Sequence, residues 1–187
     1  NEAGAVLESI IRHAFARVSG AAHVTRRAWL SSIIRAGQDA DGARSDQTWE
    51  GQGPVPGSFG DLDPGALTAE ERTLYAEALV RLVEADGWDD SARGMSALTE
   101  LQIQLDRLVC SGPVEGDLAK SLVTWGMKHH RDGRHLVART LYLAALKVLE
   151  GMQDDAGLAA ARYNLGALAT DMGDDRGARR EYGMSLE

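Results

Sequence analysis

The sequence predicts an all-α protein, and three observations lead to this fold class. Alanine, leucine and arginine, which favour helices, are abundant, whereas aromatic residues make up only 5% of the 187 residues. Apolar residues recur at helical spacing in successive segments, and glycine or proline follows these segments. All four prolines lie between the segments, as expected because a proline inside a helix costs about 3 kcal/mol.

The first helical segments form a predicted N-terminal hairpin over residues 1–36, where apolar residues follow two successive helical faces. Residues 37–67 then form a long loop insertion, because they contain seven glycines and three prolines. A loop of this length in a compact domain is unusual without a role, so we expect Trp49 or Phe59 to dock it onto the helices.

Residues 68–112 predict a second hairpin. Thr68 and Glu71 match the Thr-x-x-Glu capping box, so a helix is expected to begin there. Cys110 follows Leu108 and Val109, which favours a small core side chain over a reactive thiol. The apolar face of the second helix is predicted to comprise Ala92, Met95, Leu98, Leu101, Leu105 and Leu108.

The last third of the chain, residues 113–187, repeats itself at an offset of 40 residues, as two helix–turn–helix units over 117–150 and 154–187. We expect a close helix crossing at the first glycine of each unit, a turn at the second, and a tyrosine filling the gap beside the crossing. The alanines are expected to face the first glycines. The aligned pairs are Gly126 with Gly166, Gly133 with Gly173, Ala138 with Ala178, and Tyr142 with Tyr182.

The second unit resembles the tetratricopeptide repeat (TPR) family, through Leu165-Gly166 in its first helix and Ala178-x-x-x-Tyr182 in its second. The first unit matches mainly by register. The usual period is about 34 residues; longer repeats are similar to those of kinesin-light-chain-like arrays and bacterial signalling proteins. The resemblance implies helical hairpins stacked as a short right-handed solenoid, with 68–112 as a degenerate TPR-like hairpin.

The resemblance also implies where a partner binds. In this family the first helix of each hairpin lines a concave groove, and members that clasp extended peptides hold the peptide backbone with an asparagine at the position of Asn164. The Lys and Arg of the carboxylate clamp in chaperone-binding members are not reproduced. The groove residues implied by the match are Lys120, Val123, Thr124, Met127, His130, Arg131, Tyr163, Asn164, Ala167, Thr170 and Asp171.

Charge narrows the class of partner. The net charge is −8, and residues 46–117 hold 15 acidic and 4 basic side chains. This balance argues against nucleic acid or an anionic membrane and favours a protein or peptide partner, basic by charge complementarity.

Without a signal peptide or a long apolar run, and with one cysteine, the sequence predicts a cytoplasmic protein. Because it starts at Asn1 and ends within a helical pattern, we expect a fragment of a larger bacterial-type regulatory protein.

One cluster invites a chemical reading: His129, His130, Asp132 and His135 could in principle bind zinc. Their spacing is poor for a helical site, so we expect an exposed turn.

The sequence therefore predicts no catalytic residues, cofactor or metal. The predicted function is a non-catalytic protein- or peptide-binding scaffold. The alternative is a small-ligand or signalling-peptide sensor with the 37–67 loop over its groove.

The C-terminal helix carries apolar residues with no following helix to cover them. We expect this end to be covered either by further repeats or by a second copy of the chain in a two-fold contact. The residues concerned are Ala178, Tyr182, Met184 and Leu186.

Overall fold

The computed structural model describes residues 64–85, 92–112 and 116–186. Over these ranges the chain has six α-helices, one short 3-10 helix and no strand, which confirms the all-α prediction. The N-terminal hairpin predicted over 1–36 lies outside the described residues. Trp49 and Phe59 also lie outside them, so the docking of the 37–67 loop stays a prediction.

The described residues divide into two compact units, with the boundary between Gln104 and Leu105. A 3-10 helix, Pro64–Ala66, precedes the α-helices. None of the helices in the described ranges combines the length and the apolar character needed to cross a lipid bilayer. The six α-helices are α1 (Ala69–Ala85), α2 (Ala92–Cys110), α3 (Gly116–Arg131), α4 (His135–Met152), α5 (Asp155–Asp171) and α6 (Asp175–Met184).

The start of α1 confirms the predicted capping box. The backbone N–H of Thr68 donates to Glu71 Oε2 over 2.9 Å, and the N–H of Glu71 donates to Thr68 Oγ1 over 3.4 Å. Further along α1, the buried Tyr75 hydroxyl donates to Gln104 Oε1 of α2 over 3.2 Å. This buried hydrogen bond joins the two helices within the first unit.

Two expectations for α2 are wrong. Met95 is 45% exposed instead of lying on the buried face, and Cys110 is exposed instead of lying in the core. The buried stripe of α2 is formed by Leu101, Leu105 and Leu108, which are spaced i, i+4 and i+7 along one face. Cys110 comes two residues after this stripe and so lies on a different side of the helix.

In the second unit α3 packs against α4, α4 against α5, and α5 against α6, while α3 also touches α5. The α4 helix contributes the most buried residues of any helix in this unit: Val137, Ala138, Leu141, Tyr142, Ala144, Ala145, Leu146, Val148 and Leu149.

The α3–α4 and α5–α6 turns have the same geometry. Gly133 and Gly173 have φ angles of +74° and +75°, a left-handed conformation that glycine adopts without a side-chain penalty. Each glycine N–H donates over 3.0 Å to the carbonyl three residues earlier, and the next N–H donates over 2.8 Å to the carbonyl five residues before it. The predicted role of Gly173 in permitting the turn is confirmed.

The predicted close helix crossings occur in both hairpins. A Cβ atom on Gly126 would lie 2.5 Å from the ring of Tyr142, and one on Gly166 would lie 2.7 Å from the ring of Tyr182. The tyrosine rings are thus the nearest neighbours of the two glycines and fill the space that a side chain would need. The four small residues of the repeat are all buried: Gly126, Gly166, Ala138 and Ala178.

Candidate functional site

The structure places all eleven residues of the predicted groove at or near the surface. Seven are exposed: Lys120, Thr124, Met127, Arg131, Tyr163, Thr170 and Asp171. Four are half-buried: Val123, His130, Asn164 and Ala167.

The exposed residues of α3 form one stripe. Leu118 and Leu122 are buried, so the opposite side of this helix faces solvent. Along that side Lys120, Thr124 and Met127 follow each other at i, i+4 and i+7, and Arg131 continues the stripe at i+11. The stripe thus carries two cations, a hydroxyl and a thioether that is 46% exposed.

Five of the eleven predicted residues line one open groove, with a volume of about 360 Å³. The α3 side of this groove is formed by Met127, His130 and Arg131. The α5 side is formed by Asn164 and Asp171, and Tyr142 of α4 completes the lining. The other six predicted residues are not part of it: Lys120, Val123, Thr124, Tyr163, Ala167 and Thr170.

His130 and Asp171 connect the two sides of the groove. His130 Nε2 lies 2.7 Å from Asp171 Oδ2. Because an ionised carboxylate only accepts hydrogen bonds, the imidazole Nε2–H is the donor. The His130 side chain is 17% exposed, whereas that of Asp171 is 60% exposed. The His130 ring also contacts His135 edge-on, with 5.9 Å between ring centroids.

Three polar groups of the groove have no hydrogen-bond or ion-pair partner among the described residues. They are the Arg131 guanidinium, the Asn164 amide and the Tyr142 hydroxyl. Arg131 is exposed, Asn164 is half-buried and Tyr142 is fully buried. Burial raises the pKa of Tyr142 from 10.0 to about 12, and the hydroxyl is protonated at neutral pH at either value.

Tyr142 is the groove residue that the sequence analysis missed. The repeat places it beside Gly126, in the core of the α3–α4 hairpin, and the structure confirms that contact. The same residue also lines the groove. The repeat register supplies a reason for a core position and none for a groove position, so it could not identify the second role.

Comparisons with family models, curated proteins and solved structures give no match.

The histidine cluster is only in part the exposed turn that we expected: Asp132 is exposed in the turn after α3, whereas His130 and His135 are half-buried. His129 is completely buried in α3, because it continues the buried face of Leu118 and Leu122. His130 belongs to the groove instead. Among the residues that the structure describes, no group of three or more His, Cys, Asp or Glu side chains is arranged to hold a metal ion.

The C-terminal helix is better covered than the sequence suggests. Ala178 is buried, and Tyr182 and Met184 are half-buried. Arg162 Nη1 donates to the sulfur of Met184 over 3.4 Å, and Leu186 is 88% exposed. The expectation of an uncovered residue therefore holds for Leu186 and is wrong for Ala178. Further repeats or a second copy of the chain at this end stay predictions.

Proposed function

We propose that this chain is a non-catalytic, TPR-like module that binds a protein or peptide segment in the groove lined by α3 and α5, as part of a larger regulatory or assembly protein. The observation that carries this proposal is the convergence of Met127, His130 and Arg131 with Asn164 and Asp171 around one open groove. These residues come from the first helices of two successive hairpins, which are the helices that line the groove in the TPR family.

The repeated hairpin geometry supports the TPR-like part of the proposal. Gly133 and Gly173 adopt the same left-handed conformation, and the crossing at Gly126 has its counterpart at Gly166. Units that repeat in this way bury their apolar faces mainly against their neighbours. The polar first-helix faces then stay accessible, which suits a binding module.

The chemistry of the groove suits a peptide chain. The Asn164 amide has a donor and an acceptor and makes no hydrogen bond within the described residues, so it can pair with the N–H and C=O of a bound backbone. Met127 is 46% exposed, and its flexible thioether can adapt to an apolar side chain. These groups provide one polar and one apolar anchor for an extended segment.

The test is selection from phage-displayed random 12-residue peptides on the whole chain, followed by fluorescence anisotropy with the enriched peptides. We expect Asn164→Ala to weaken binding about fivefold to tenfold, because one or two hydrogen bonds are lost. The matched control is Gln102→Ala, which removes an exposed amide of α2 outside the groove.

If the wild-type protein and Asn164→Ala bound the enriched peptides equally well, the binding site would not include Asn164 and would lie elsewhere on the chain. Failure to enrich any peptide sequence over an unrelated helical protein would contradict the peptide-binding function itself. Circular dichroism melting of both variants checks that the substitution changed the site rather than the fold.

A further inference from the structure

We infer that the groove between α3 and α5 selects a segment that carries an anionic oxygen group, a carboxylate or a phosphoryl group, and that Arg131, Tyr142 and Asn164 recognise it. The inference rests on the proposed function and names the chemistry of its ligand. It differs from the basic partner expected from the net charge of the chain.

The unpaired groups of the groove are mainly hydrogen-bond donors. The guanidinium of Arg131 offers five N–H groups, the Asn164 amide offers two, and the Tyr142 hydroxyl offers one. None of the three side chains has a partner among the described residues, and all three line the same groove. A ligand group that only accepts hydrogen bonds is the natural complement of such a set.

The acidic residue of the groove, Asp171, already forms a hydrogen bond with His130. Asp171 Oδ2 is 2.7 Å from His130 Nε2, which offsets part of its effect on an incoming anion. Arg131, in contrast, is exposed and has no ion-pair partner in the described part of the chain. Lys120 is a second exposed and unpaired cation on the same stripe of α3. The exposed stripe of α3 therefore carries positive charge, although the whole chain has a net charge of −8.

Tyr142 indicates a specific contact rather than general attraction. The Tyr142 hydroxyl is not among the buried side-chain atoms of the described residues that lack a partner, so it meets the groove rather than being enclosed by protein. Tyr142 is fully buried, lines the groove, and its hydroxyl makes no hydrogen bond within the described residues. A phenol is protonated at neutral pH, so the hydroxyl can donate a hydrogen bond. An anionic oxygen in the groove would supply the missing acceptor.

The experiment uses nine-residue peptide libraries that are random except for a fixed central residue. Glu, Gln, Lys and phosphoserine are compared at this position on the whole chain. Glu and Gln have the same shape, so their difference isolates the charge. We expect Glu or phosphoserine to bind better than Gln, and Gln better than Lys. The ratio of the Glu to the phosphoserine signal separates the two sources of the anion.

Variants then assign the contacts, measured with the strongest peptide that has a central Glu or phosphoserine. Arg131→Gln is expected to weaken its binding about tenfold or more and to remove the preference over the matched Gln peptide. Tyr142→Phe keeps the ring against Gly126 and removes only the hydroxyl, so a loss of about threefold to tenfold is expected. Arg176→Gln is the control, because it removes an exposed cation of α6 that does not line the groove.

The outcomes separate this inference from the proposed function. If Glu, Gln, Lys and phosphoserine peptides bind equally, or if Lys is preferred, the anionic preference is wrong while peptide binding stands. If no library binds, the proposed function fails with it. If Arg176→Gln weakens binding as much as Arg131→Gln, the effect is one of overall charge and the assignment of the contact to Arg131 is wrong.

Discussion

The α-carbon of Gly166 and the ring of Tyr182 approach so closely that a Cβ atom on Gly166 would lie 2.7 Å from two ring carbons. The equivalent contact in the preceding hairpin, between Gly126 and Tyr142, would leave 2.5 Å. Non-bonded carbon atoms prefer about 3.5–4.0 Å, so neither position has room for a methyl group unless the tyrosine moves. Each tyrosine ring thus occupies the space that a side chain at the glycine would need.

Gly166→Ala is expected to destabilise the protein by up to about 2.5 kcal/mol. The overpacking against Tyr182 costs about 1–3 kcal/mol, and replacing a helical glycine by alanine returns about 0.5–1 kcal/mol. Urea denaturation of the two proteins measures the difference in the free energy of unfolding.

Gly183→Ala is the matched control, because Gly183 lies in α6 and a Cβ atom there would meet nothing within 4 Å. This variant is expected to gain up to about 1 kcal/mol of stability from helix propensity alone. If the two alanine variants changed stability in the same direction and by the same amount, the close contact between Gly166 and Tyr182 would not be the cause of the effect of Gly166→Ala.

The start of α1 and the turns were predictable because they depend on local chemistry, and the helix crossings because the 40-residue repeat aligns their glycines. Thr68 and Glu71 contact each other three residues apart, and the left-handed turn at Gly173 needs only the residue type. The burial of His129 was not predicted, although Leu118 and Leu122 precede it on the same face. Histidine is intermediate in burial by residue type, so its position on the packed face of α3 decides its burial here.

Asp174→Ala is expected to destabilise the protein by about 1 kcal/mol, because Asp174 is the N-cap of α6. Its Oδ1 accepts a hydrogen bond from the Gly177 N–H over 2.8 Å. Asp175→Ala removes the same charge one residue later, where the side chain is exposed. Thermal unfolding of both variants should therefore show a larger loss for Asp174. Equal losses would mean that the helix dipole rather than the cap accounts for the effect.

The hydrogen bond between His130 and Asp171 across the groove is expected to be weak but measurable. A double-mutant cycle with His130→Gln and Asp171→Asn should give a coupling free energy of about 0.3–1 kcal/mol, since the Asp171 side chain is 60% exposed. The same cycle on Lys147 and Asp106, whose side chains are 46% and 41% exposed, is the comparison. We expect the smaller coupling there, because water competes for both partners. The reverse order would indicate that burial of His130 does not strengthen the pair.

The candidate site was only partly predictable. The TPR resemblance was enough to nominate Met127, Arg131 and Asn164, because it implies that the first helix of each hairpin lines the groove, and all three residues line the groove here. It could not indicate that His130 and Asp171 would form a pair, since these residues are 41 positions apart and their contact depends on how α3 and α5 pack. Pairings of this kind follow from tertiary geometry, which a single sequence does not specify.

The buried phenol of Tyr142 makes stability depend on pH in the alkaline range. Its pKa rises from 10.0 to about 12 on folding, because burial disfavours the phenolate. Below pH 10 the hydroxyl is protonated in both the folded and the unfolded state, so Tyr142 adds no pH dependence there. Between pH 10 and 12 the unfolded state loses the proton first, and stability falls as pH rises.

Tyr142→Phe should therefore reduce the loss of stability between pH 10 and 12. One proton released on unfolding changes the free energy of unfolding by at most about 1.4 kcal/mol per pH unit, so the two proteins should diverge by less than this slope. Urea denaturation at half-unit intervals from pH 8 to 12 gives both curves, and subtracting them cancels the titration of all other groups. The curves should run parallel below pH 10, and above it the wild-type curve should fall more steeply than that of Tyr142→Phe. Parallel curves up to pH 12 would show that the folded protein lets Tyr142 ionise as freely as the unfolded chain does, which would contradict the raised pKa.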